Sequence, residues 1–83
     1  MKLHILKIES DYFRGVIEGF KKAELRKNDR GFEADDLIHF VKVDGTEFRV
    51  FPNNVFQITH ILENVPTLGL SEDYVVLSIE RLR

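Results

Sequence analysis

Residues 37–51 read LIHFVKVDGTEFRVF. The run LIHFVKV, 37–43, has the β-branched and aromatic content of a strand. Asp44-Gly45 is the dipeptide of a two-residue hairpin turn, and it is the strongest short-range signal in the chain. TEFRVF, 46–51, is then the return strand, and Pro52-Asn53-Asn54 ends it. This hairpin commits the middle of the chain to antiparallel sheet.

Working outward, VFQITHIL (55–62) and YVVLSIE (74–80) read as two further strands. Pro66 and Gly69 make an irregular loop of 63–73. Upstream, LHILKI (3–8) reads as a first strand, with Leu3 and Ile5 on one face and His4, Leu6 and Ile8 on the other. Ser10 is placed as a helix N-cap, and Asp11 suits the positive end of the helix dipole. Tyr12, Phe13, Val16, Ile17 and Phe20 continue at helical spacing. Gly19 suits the left-handed residue that closes a helix. From Lys22 the period changes to two. KAELRK reads as a strand with Ala23 and Leu25 inward and Glu24 and Arg26 on the opposite face. Asn28 to Gly31 is turn chemistry.

About six short strands with one early helix imply a mainly β, α+β domain. Closure into a small barrel is expected, because an open edge in so small a domain invites aggregation. The 83 residues suffice for one core and one domain, 1–83, and 43% hydrophobic residues with seven Phe can fill it. No cysteine is present, so disulfides, thiolate nucleophiles and Cys-type zinc sites are excluded, and a cytoplasmic setting is expected. The opening MKLHILKIES is broken by His4 and Lys7 and reads as neither a signal peptide nor a membrane span.

The formal net charge of −2 argues against broad affinity for nucleic acid. Its distribution is more informative. KKAELRKNDR, 21–30, carries +3, and the other 73 residues carry −5. A basic patch on an acidic body points to a partner.

Within that patch Gly19, Lys21, Glu24 and Arg26 are spaced Gly-x-Lys-x-x-Glu-x-Arg. On this motif the chain resembles the ASCH superfamily, the PUA-like barrels related to a domain of activating signal cointegrator proteins. It looks closest to their small bacterial and phage branch. His4, Leu6, Lys7 and Ile8 match that branch's opening. Arg26 to Arg30 match its RKNDR, and Tyr74 to Ile79 match its closing Y-V-V-L-x-I. The resemblance thus runs nearly the length of the chain. It departs at Ala34-Asp35-Asp36-Leu37, where Asp35 replaces a turn glycine. If that position needs a positive φ, Asp tolerates it at modest cost.

The resemblance implies a PUA-like barrel with a cleft that takes RNA or a nucleotide. Lys21, Glu24, Arg26, Lys27 and Arg30 are the candidate binding residues, with His4 and Lys7 from the first strand. Cations there suit phosphate, and Glu24 suits orientation or a base amino group. Some members of the superfamily hydrolyse an acetyl amide on modified cytidine, which makes an amidohydrolase using Lys21 and Glu24 the alternative. Those enzymes carry a Thr nucleophile where this chain has Glu24, so binding without catalysis is the first expectation. Thr59 and Thr67 are not placed in the cleft by any pattern.

No cofactor or metal is expected. His4, His39 and His60 show no ligand spacing, and a buried hydrogen bond is the commoner fate of a strand histidine such as His4. Phe40, Phe48 and Phe56 read as core, and Tyr12 and Phe13 as helix packing. Phe32 and Phe51 are the rings placed nearest the surface for base stacking. A third reading is an accessory domain that pairs through an exposed strand, but no patch for it stands out, and a monomer is expected.

Overall fold

The computed structural model describes residues 1–63 and 65–82. Asn64, inside the expected 63–73 loop, lies outside the described residues. The elements are β1 (Leu3–Glu9), α1 (Ser10–Ile17), β2 (Ala23–Lys27), β3 (Leu37–Asp44), β4 (Glu47–Val50), β5 (Phe56–Leu62) and β6 (Tyr74–Arg81). A short 3-10 turn at Pro66–Leu68 interrupts the 63–73 connection. The mainly β architecture with one early helix is therefore the one the strand pattern implies.

All six strands of the described residues join one sheet in the order β1-β3-β5-β6-β2, with β4 paired to β3 alongside that path. The sheet curls into a half-barrel. β1 and β3 run parallel, with the α1 crossover between β1 and β2. The remaining ladders are antiparallel. The ladders leave β1 and β2 at opposite ends of the order, so a seam faces between them.

The core fills the concave side. Leu6, Ile38, Phe40, Ile58, Val75 and Leu77 are almost fully buried there. α1 covers β1 and β3 through Phe13 and Val16, and Phe51 stacks on Phe13 at 4.8 Å between centroids. A bulge in β5 between Ile58 and His60 leaves Thr59 outside the ladder.

Several local expectations shift by one residue. Ser10 is the first helical residue, and the cap is Glu9, whose side chain makes no capping bond. Asp44 pairs with Glu47, so the hairpin turn is Gly45-Thr46. Gly45 has φ +63° and Thr46 does not share that sign, which is the type II′ pattern rather than the type I′ of an Asp-Gly turn. Asp35 does take the positive φ that its turn requires, at +76°.

Other expectations reverse. Glu24, not Leu25, faces inward on β2: Glu24 is 5% exposed and Leu25 61%. The cause is register. Glu24 lies opposite Leu77 and Arg26 opposite Val75, and both partners point into the core. Directly opposed residues share a face, so β2 turns its charged side in. Phe48 is 59% exposed because, among the described residues, β4 pairs with β3 only and Phe48 lies on the outer face, where the Lys7 ammonium sits 5.2 Å from its ring centroid. Phe20 leaves the helical stripe because α1 ends at Ile17. Phe32 is buried against the His4 ring at 4.7 Å, and Phe51 is half-buried on Phe13. Neither is a free stacking surface.

Candidate functional site

The site is built where α1 gives way to β2. Glu18 closes the helix and Gly19 turns the chain at φ +83°. The N–H groups of Phe20 and Lys21 then both donate to the Gly15 carbonyl at 2.9 Å. A Cβ on Gly15 would lie 3.3 Å from Lys21 Cβ. The glycine lets the returning chain press against the helix and aims Lys21 at the seam.

Glu24 sits on the inner face of β2 with its side chain 7% exposed. Lys21 Nζ donates to Glu24 Oε1 and to the Ala23 carbonyl. Arg26 Nε donates to Glu24 Oε2 at 2.8 Å. Both oxygens of the buried carboxylate are thus met by cations, which is the condition for a carboxylate to sit inside a small core. The cations themselves are about three-quarters buried, at 26% and 24% exposed.

Arg26 does a second job. Its Nη2 donates to the Lys7 carbonyl on β1 at 2.6 Å. Arg30 Nη1 donates to the Ile5 carbonyl at 3.0 Å, and Lys2 Nζ reaches the Gly31 carbonyl at 2.9 Å. Side chains from β2 and the following loop therefore satisfy edge carbonyls of β1 that no strand of the described residues pairs with. The seam is closed by guanidinium forks in place of a backbone ladder.

Above this closure lies an open cleft of about 490 Å³ between β1, α1 and β2. Lys7, Lys21, Glu24, Arg26 and Lys27 line it, so the structure brings together five of the seven candidate residues. Glu9, Tyr12 and Leu25 complete its wall with Ile8. Tyr12 is 60% exposed, a ring that helical spacing had assigned to packing. Its position at the edge of the apolar stripe, with a hydroxyl on the ring, was the signal that it could face solvent. Lys21 also borders a second cleft of about 630 Å³ whose wall includes Lys22, Thr59 and Ser78.

The other two candidates do not line the 490 Å³ cleft. Arg30 is held on the outer edge of β1. His4 lies on the opposite face of β1 from Lys7 and is 6% exposed. Its Nε2–H donates to Asp36 Oδ2 at 2.8 Å. Asp36, named in the sequence only as part of the turn before β3, is the hub of this corner. It also accepts from the backbone N–H of Lys2 at 2.9 Å and of Glu33 at 3.0 Å. Burial by itself would raise its pKa, but these hydrogen bonds favour the carboxylate and hold the group at about 2. The His4–Asp36 pair anchors the start of β1 and the turn before β3. His39 and His60 face outward.

The fold and cleft define a small α+β half-barrel with a cationic seam. Residues 3–79 match the family described as a domain of unknown function, DUF3850, and the chain belongs to that family. It is also similar to an uncharacterized 12.9 kDa protein in the GpA 3′ region of Escherichia phage P2, 46% identical over 37 residues. The match covers 45% of this chain and 34% of that relative, so it spans about a third of the relative's length. No described helix is long and apolar enough to cross a membrane.

Proposed function

We propose that this chain is an ASCH-type, PUA-like domain that binds RNA or a nucleotide in the seam cleft. The observation that carries the reading is the convergence of Lys7, Lys21, Arg26 and Lys27 with an exposed Tyr12 around one open cleft. Cations along a groove give phosphate affinity, and a free aromatic ring gives a base something to stack on. Lys7 and Lys27 form no ion pair among the described residues. Lys7 lies over the Phe48 ring at 5.2 Å, a contact weaker than an ion pair, so Lys27 is the cation first available to phosphate and Lys7 the next. Lys21 and Arg26 are tethered by Glu24 and supply a fixed positive wall. The resemblance in the Gly19 to Arg26 motif supports the same reading. A cysteine-free cytoplasmic protein goes with it.

The amidohydrolase alternative is less well supported. A general base needs a carboxylate free to accept a substrate proton, and both oxygens of Glu24 are already engaged.

The test is titration of short single-stranded RNA and of mononucleotides at low salt. Binding should weaken as salt rises, with a slope of about −0.7 per phosphate contacted. Lys7→Ala with Lys27→Ala should flatten that slope. Tyr12→Ala should weaken binding by about 1–3 kcal/mol without changing it. Absence of binding at low salt, or binding indifferent to all three substitutions, would overturn the proposal.

A further inference from the structure

β4 pairs with β3 and with no other strand among the described residues, with the Lys7 ammonium of β1 lying 5.2 Å from the centroid of its Phe48 ring. All four of its residues are exposed. Its closing pair with β3 is Asp44–Glu47, at the end of a two-residue hairpin. In such a hairpin the closing pair exchanges both hydrogen bonds, and the next pair exchanges none. Phe48 and Val50 therefore turn their N–H and C=O groups away from β3, toward an unpaired edge.

The charges on β4 are mismatched within the chain. Glu47 lies opposite Asp44, and Arg49 lies opposite Lys42. Like charges directly across an antiparallel pair repel. Among the described residues, none of these four side chains forms an ion pair. The same four-residue strand is complementary to itself. Turned antiparallel about Phe48, it places Glu47 opposite Arg49 of a second copy, and Arg49 opposite that copy's Glu47. Phe48 then meets Phe48 of the second copy as a pair that exchanges two backbone hydrogen bonds. The flanking Glu47–Arg49 pairs fall at the closer, non-hydrogen-bonded spacing, where side chains interact best.

We propose that β4 is a homodimerisation edge, joined antiparallel to β4 of a second copy with the two-fold axis at Phe48. The pairing is isologous, as a closed dimer requires. It also places the apolar outer faces side by side. Phe48 is 59% and Val50 55% exposed on that face, and both lie across from the half-buried Val43 and Val41 of β3. Charged residues on an edge strand commonly prevent such pairing by repulsion. Here the alternation of one acid and one base turns that device into a recognition code. A four-residue strand is only about 13 Å long, short of the area of a standard interface, so the dimer is weak and concentration-dependent. Lys7 borders both the seam cleft and Phe48, but the pairing rests on the backbone edge and charges of β4, not on what the cleft binds.

The experiment is sedimentation or light scattering over about 10 µM to 1 mM, with charge exchange. The wild-type mass should rise with concentration from 9.7 kDa toward twice that value. Arg49→Glu and Glu47→Arg should each keep the single-chain mass, because each makes the edge one sign. Each also places opposite charges across the β3–β4 pair, so both should fold, as circular dichroism would report. An equimolar mixture of the two variants should regain the dimer mass. A wild type that stays at 9.7 kDa throughout overturns the proposal. So does a dimer that both single variants preserve, or a mixture of folded variants that fails to associate.

Discussion

Replacing Glu24 with Gln should move stability and ligand affinity in opposite directions. Glu24 is 5% exposed, and its carboxylate holds Lys21 and Arg26 through one oxygen each. Gln keeps the shape and one acceptor oxygen but loses the charge and presents an amide N–H₂ to one of the cations. A hydrogen bond to a charged group contributes about 1.5–3 kcal/mol when buried. Lys21 and Arg26 are still about a quarter exposed, so solvent screens part of that and lets them rehydrate. A net loss of about 1–2 kcal/mol follows, which for a domain of this size is a fall in Tm of about 4–16 °C. At the same time the cleft gains one unit of positive charge. RNA should bind more tightly at low salt, and the slope of log K against log salt should steepen by about 0.7 for each cation released to phosphate. Thermal unfolding and a salt series of RNA titrations on the same protein read both effects. An unchanged or raised Tm would show that the ion pairs do not hold β2 in place. A lower affinity would show that Glu24 touches the ligand itself and does not merely restrain its neighbours.

Three further predictions concern the fold that carries the cleft. The Asp36 carboxyl is held at about 2 in the folded chain against 3.8 ordinarily, so its contribution is present above about pH 4 and lost as pH falls toward 2. Acid titration of wild type should show that loss, and Asp36→Asn should be less stable at neutral pH and lack this component of the acid transition. Leu25→Ala should change stability by less than about 0.5 kcal/mol, whereas Leu77→Ala should cost about 2–5 kcal/mol in urea unfolding; comparable costs would mean that β2 faces the other way. Asp35→Ala should destabilise by about 1 kcal/mol because Ala holds φ +76° less readily than Asp, while Asp35→Gly should be neutral or stabilising in the same assay.

The strands were legible because alternation and turn chemistry are local. LHILKI, LIHFVKV and YVVLSIE each carry enough β-branched residues to declare themselves, and Gly19 and Asp35 announced left-handed positions that the backbone adopts. The basic cluster at 21–30 was legible as composition. Most of its members, with Lys7, do gather at one cleft.

What the sequence could not decide was direction. In AELRK the two faces are Ala23 with Leu25 and Glu24 with Arg26, and a period of two identifies a strand without saying which face is buried. The usual preference for burying leucine gave one answer, and pairing with β6 imposed the other. That choice is long-range: it is set by Val75 and Leu77, some fifty residues away along the chain. Inward placement is tolerable only because Lys21, brought back by the Gly15 and Gly19 turn, joins Arg26 on the carboxylate. The same limit hid the seam. Arg26 and Arg30 read as free cations, yet both spend donors on carbonyls of β1. Only the tertiary structure leaves those carbonyls unpaired, by placing β1 and β2 at opposite ends of the strand order and then curling the sheet until they face.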